Sequence, residues 1–172
     1  MSKSEALAAL SRAQLEALIE IYCKDWLAMD GVWFQQVEQT YGMDAAMACD
    51  VAIWTRFTVI EAQKIKKFLE LPERSGLEGL ERALRLRLYA NINREEYIHQ
   101  GNTLLYRTMD CRVQNARARK GMEPHPCKAA GIPQYVLFAK EIDERIICEP
   151  VSCYPDRIDD TCACSWRFTL NE

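Results

Sequence analysis

Apolar residues recur at gaps of three and four through Leu15, Leu18, Ile19, Tyr22, Trp26, Trp33 and Val37, the spacing of one helix face. Ser11 followed by Gln14 predicts a capping box, with Leu10 and Leu15 placed to close a hydrophobic staple over it. Gly42 predicts a left-handed end to that helix. A second stripe, Met47, Val51, Trp54, Phe57, Ile65 and Phe68, predicts a helix from an Asp44 N-cap to about Leu69, closed by Pro72. The short link at Gly42 makes the two an antiparallel pair. Leu77, Leu80, Leu84 and Leu88 predict a third helix, roughly Leu77 to Asn91.

After Gly101 the period changes. Thr103 to Gln114 alternates, with Leu105, Met109, Cys111 and Val113 on one face and Tyr106, Thr108, Asp110, Arg112 and Gln114 on the other. A basic run (Arg117, Arg119, Lys120) leads to a loop in which Pro124 and Pro126 flank His125, with Cys127 next. Pro133 suits the first turn of a short helix through Ile142. Glu144 to Ser152 predicts a strand that Pro150 confines to an edge or a bulge, and Cys162 to Leu170 predicts a last one. The order implies an α+β fold, with N-terminal helices packed on one face of a C-terminal antiparallel sheet that carries one further helix. We read residues 1–172 as one domain, with a helical half of about 11–101 and a cysteine-rich α+β half of about 102–172.

A formal charge of −3 argues against nucleic acid, and no segment reaches the ~18 apolar residues of a membrane span. The opening MSKSEALAAL has no apolar run of leader length, so the expected location is cytoplasmic, where thiols stay reduced. That setting matters because six of eight cysteines fall between Cys111 and Cys164. Cys111, Cys127, Cys153 and Cys164 could converge as ligands of zinc or iron, although no C-x-x-C knuckle is present. The competing reading is buried inert thiol, since Cys162 and Cys164 share the apolar face of Trp166, Phe168 and Leu170. A third reading makes Cys127 a reactive thiol, activated by His125 and Lys128, against an ordinary loop with a solvated histidine.

Two carboxylates interrupt the helical stripes. In the hairpin Asp30 falls opposite about Trp54, within roughly 6 Å of axial rise of Asp50, with Glu61 about 10 Å further along. Asp30 and Asp50 therefore share a polar pocket, or else each pairs with an arginine such as Arg56, Arg107 or Arg112. Arg112 with the basic run suits an anionic ligand or a solvated turn. Trp26, Trp33 and Trp54 read as core before they read as a stacking box.

Three segments carry a resemblance: KDWLAMDGVWFQQVEQTYGMDAA (Lys24 to Ala46), CRVQNARARKGMEPHPCK (Cys111 to Lys128) and CSWRF (Cys164 to Phe168). Over nearly its whole length the chain resembles prokaryotic cytosolic proteins related to L-2-amino-thiazoline-4-carboxylic acid hydrolase, which opens a cyclic thiazoline. The resemblance implies the same kind of ligand pocket. A more distant similarity to 4-vinyl reductase and trafficking-complex domains implies helices over one face of an antiparallel sheet. The matching positions are Asp30, Trp33, Cys111, Arg112, Gln114, Arg117, Cys127, Lys128 and Cys164, and the resemblance assigns none of them a role. The expectation is a protein that binds a small molecule or metal, with Asp30, Trp33, Asp50, Arg112 and Lys128 at the ligand. If it is an enzyme, it hydrolyses a small cyclic C–N or C–S compound with a metal-bound water or the Cys127 thiolate, His125 assisting. The alternative is a non-catalytic ligand-binding or sensor module with structural cysteines, paired as a homodimer through an exposed helical face.

Overall fold

The computed structural model describes residues 5–172; residues 1–4, the start of the opening stretch considered above, lie outside the described residues. A single turn, α1 (Glu5–Ala8), precedes α2 (Arg12–Tyr41). The capping box forms as the spacing predicts. The Ser11 hydroxyl accepts the Gln14 N–H at 3.3 Å, and Gln14 Oε1 accepts the Ser11 N–H at 2.9 Å. Gly42 alone separates α2 from α3 (Met43–Phe68). Its φ of +87° suits glycine, but its ψ of 168° lies outside the left-handed helical well, so the chain reverses without an αL cap. Because α3 starts at once, Gly42 is its N-cap and Asp44 sits in the first turn, where its charge still faces unpaired N–H groups.

The hairpin closes with Trp26 against Trp54 and Phe57, at ring-centroid distances of 6.0 and 5.3 Å. The α2 stripe is otherwise shallower than its spacing suggested. Cys23 is its one buried residue, and Ile19, Tyr22 and Trp33 are exposed. Trp33 is therefore not core, because α2 packs on α3 and the 3₁₀ turn at Leu88–Asn91 over only part of its own face. On α3, Trp54 is buried and Phe68 exposed.

The third helix is shorter than expected. Helix α4 (Gly76–Leu84) buries Leu77, Leu80 and Leu84, and a 3₁₀ turn follows at Leu88–Asn91. Strand β1 (Arg94–Gln100) then begins inside the segment read as helical. Its sequence, REEYIHQ, has too few apolar residues to signal a strand, and pairing with β2 (Thr103–Asp110) through the turn at Gly101 defines it. The faces of β2 are the reverse of those expected: Leu104, Tyr106 and Thr108 are buried. Their polar tips are satisfied in place, since the Tyr106 hydroxyl donates to Glu95 at 2.7 Å and Thr108 donates to Tyr106 at 3.2 Å. Past Asp110 the chain turns into helix α5 (Arg112–Arg119) instead of continuing as a strand.

Helix α6 (Lys128–Ile142) starts earlier than Pro133 suggested, so Pro133 lies inside it. Strands β3 (Ile146–Ser152) and β4 (Cys164–Leu170) complete an antiparallel sheet of order β1-β2-β4-β3. Strand β3 is an edge and its register shifts at Pro150, which meets both conditions proline needs. The α+β fold class stands, with one refinement: α6 lies on the sheet beside β3, α3 packs on α6, and α2 packs on α3. Gly131 on α6 allows this approach, since a Cβ there would stand 2.6 Å from the Trp166 ring. The core is Leu80, Leu84, Leu104, Phe138, Ile142, Ile146, Trp166 and Phe168. No helix among the described residues is long and apolar enough to cross a membrane.

Candidate functional site

A cavity of about 370 Å³ opens between the helical hairpin, α5, α6 and the sheet. Trp54, Tyr89, Tyr135 and Trp166 give it aromatic walls, and Asp30, Asp50, His125 and four thiols (Cys111, Cys127, Cys153 and Cys164) give it chemistry. The sequence placed Asp30, Asp50, Arg112, His125 and these cysteines as candidates, and all of them line this one space. Two candidates do not. Trp33 is exposed and outside the lining, and the Lys128 ammonium turns away to Asp156 at 2.6 Å.

His125 is buried, not solvated, and Asp50 holds it. Its Nε2 lies 3.4 Å from Asp50 Oδ2, and its Nδ1 has no hydrogen-bond partner among the described residues. Of the arginines expected as partners, Arg107 on β2 pairs instead with Glu96 and Asp159, while Arg112 lines the same cavity as the two carboxylates. Burial alone would lower the imidazole pKa, but Asp50 and Cys127 outweigh it and raise it to about 9. Asp30 is pushed the other way for a carboxyl. Burial, reinforced by the neighbouring Asp50 charge, raises it to about 6.

Cys127 sits at the N-cap of α6, with its Sγ 3.5 Å from Cys153 Sγ. Hydrogen bonding from Cys153 holds its thiol well below the ordinary value against the cost of burial, and His125 and Gln114 add to the effect. Lys128, expected to activate it, contributes nothing comparable because its charge is spent on Asp156. Cys153 is raised correspondingly by the hydrogen bonding that Cys127 and Cys164 compete for through its single S–H, and the same competition lowers Cys164. Burial pushes Cys111 up to about 12. The four thiols line one cavity, with the Cys127 and Cys153 sulfurs 3.5 Å apart. Among the described residues no three His, Cys, Asp or Glu side chains form a group that could hold a metal ion.

Gln114 builds much of this geometry. From the first turns of α5 its Nε2 donates to the His125 carbonyl at 2.8 Å, and its Oε1 accepts the His125 N–H at 3.0 Å. The same Nε2 comes within 3.7 Å of Cys127 Sγ. One amide therefore fixes the backbone of the loop that carries both reactive groups. Arg117 is also buried, not part of a solvated turn. It grips Glu38 of α2 with two nitrogens at 2.7 and 2.8 Å and donates to the Glu123 carbonyl at 2.6 Å. Sequence spacing alone could not pair Asp50 with His125, because 75 residues and a helix–loop contact separate them.

Such an arrangement gathers a thiol held below its ordinary pKa (Cys127), an imidazole raised above its own two residues earlier (His125) and a carboxylate 3.4 Å from that imidazole (Asp50). Asp30 adds a group that changes charge near neutrality. No curated protein and no solved structure matches the chain. The model of the Family of unknown function (DUF6125) matches residues 8–170. The chain belongs to that family.

Proposed function

We propose that the cavity is the active site of a small-molecule hydrolase, acting on a C–N or C–S bond of a small cyclic compound in a reducing cytoplasm. The observation that carries this reading is the thiol of Cys127 beside the Asp50-held imidazole of His125, at the wall of an aromatic-lined pocket. The Cys127 thiolate attacks an sp² ring carbon, forming a C–S bond. The His125 imidazolium gives its proton to the departing ring nitrogen or sulfur as the ring bond breaks. Neutral His125 then takes a proton from water, the hydroxide attacks the same carbon, and Cys127 leaves as thiolate. Lys24, Arg112 and Arg119 also line the pocket and suit a substrate carrying a carboxylate.

The test uses cyclic thiazoline carboxylates, which carry the required sp² ring carbon, with the full chain, following thiol or ammonia release. Turnover by the wild type, lost in Cys127→Ser, is the expected result. Alkylation of Cys127 by iodoacetamide at about pH 7 should exceed that of an ordinary thiol by about tenfold. Alkylation at the ordinary rate overturns the nucleophile. Binding without turnover moves the reading to a sensor module. One zinc or iron per chain by elemental analysis moves it to a metal-bound water held by Cys111, Cys127, Cys153 and Cys164.

A further inference from the structure

Hydrolysis needs one thiol, yet the cavity presents a second within reach of the first. Cys127 Sγ and Cys153 Sγ are 3.5 Å apart, and a disulfide requires about 2.0 Å. The two backbones are already tied together. The Lys128 N–H, one residue past Cys127, donates to the carbonyl of Tyr154, one residue past Cys153, at 2.8 Å. The ion pair between Lys128 and Asp156 repeats that tie on the side-chain level. Both cysteines line the cavity, so a small reagent entering it meets the pair together. The pair joins a loop before α6 to the end of β3, and nothing in the helix–sheet packing depends on an S–S bond between them.

We propose that Cys127 and Cys153 form a redox-active dithiol that reduces small disulfides entering the cavity, Cys127 attacking and Cys153 resolving. The Cys127 thiolate attacks one sulfur of a low-molecular-weight disulfide, expelling one thiolate and leaving a mixed disulfide on Cys127. The Cys153 sulfur then attacks Cys127 Sγ, expelling the second thiolate and closing the Cys127–Cys153 disulfide. The two expelled thiolates take the Cys153 proton and the His125 proton, so two electrons and two protons leave the protein and two free thiols result. An external dithiol reductant restores the starting state. While the disulfide stands, Cys127 is no nucleophile, so this activity and hydrolysis exclude each other. The proposal shares the Cys127 thiolate with the hydrolase reading but not its chemistry.

The experiment treats the reduced full chain with the small disulfide cystamine and maps thiols and cross-links by peptide mass spectrometry. The wild type should lose two free thiols per chain and yield a peptide linking Cys127 to Cys153. Cys153→Ser should stop at one cystamine-derived adduct on Cys127, and Cys127→Ser should form neither product. Cys49→Ser, exposed and outside the cavity, should cross-link as the wild type does. A stable adduct on wild-type Cys127, or a link between Cys153 and Cys164 instead, overturns the proposal; the wild-type map alone decides this, whatever the variants' folding. Iodoacetamide alkylation of the reduced wild type keeps the two readings apart. Fast alkylation without a cross-link removes the dithiol and leaves the nucleophile standing, whereas slow alkylation removes both.

Discussion

Asp50 and Glu61 stand on one helix, flank the same tryptophan and are both buried, yet their partners give them opposite characters. Glu61 Oε2 receives Arg87 Nε at 3.0 Å and Nη2 at 2.7 Å, and the guanidinium carbon lies 4.7 Å from the Phe138 ring centroid. Arginine does not give up its proton, so this pair is permanent scaffold. Asp50 faces an imidazole at 3.4 Å whose other nitrogen has no partner among the described residues. Histidine does exchange its proton, and an incompletely satisfied ring is free to do so toward a neighbour. The partner, not the carboxylate, separates structural from chemical burial.

The largest expected effect tests the scaffold side. Glu61→Ala leaves the Arg87 charge buried and alone, and should cost about 3–5 kcal/mol in denaturant unfolding. If Asp50→Asn costs as much, the distinction between the two carboxylates collapses. Next, Gly131→Ala puts a methyl against the Trp166 ring and should destabilise by about 1–3 kcal/mol, because both partners are locked in the core. On the chemical side, His125→Asn should slow Cys127 alkylation about tenfold at about pH 7 with little loss of stability. The wild-type alkylation rate should sit on its plateau there and fall only at acid pH, because the thiol titrates well below its ordinary value. A rate still climbing between about pH 7 and 9 would contradict this assignment.

The smallest effect concerns Asp30, raised from 3.8 to about 6. Its folded state holds a proton that the unfolded chain has released, so its contribution to stability falls as pH rises between those values. Asp30→Asn should therefore gain stability on the wild type between about pH 4 and pH 8, by about 1 kcal/mol. A thermal-melt series across that range reads it. No pH dependence in the difference would mean that water reaches the carboxylate freely.

Much of the frame was legible because it follows local rules. The Ser11–Gln14 box, the hairpin reversing at Gly42 and the edge position of Pro150 each depend on a few neighbouring residues. Strand β1 was not legible, because REEYIHQ gains its strand character only from the register with β2. Helix α5 was missed for a related reason: CRVQNARAR alternates in hydrophobicity, but Arg117 is buried by a bidentate contact to Glu38 that no period reveals. The face of β2 was inverted because tyrosine and threonine read as outward until their hydroxyls find partners inside.

For the site, the residue types were legible and the pairings were not. Asp30, Asp50, His125 and the cysteines stood out in the chain because a carboxylate on an apolar stripe and a thiol beside histidine are chemically conspicuous there. Which of them meet was decided by α6 lying across the sheet with α3 on top of it, which brings Asp50 to His125 and Cys153 to Cys127. That layering sends the Lys128 charge outward to Asp156 and leaves Trp33 exposed. Periodicity records how much of a side chain must be buried; only packing between distant segments determines what it is buried against, and reactivity depends on the second.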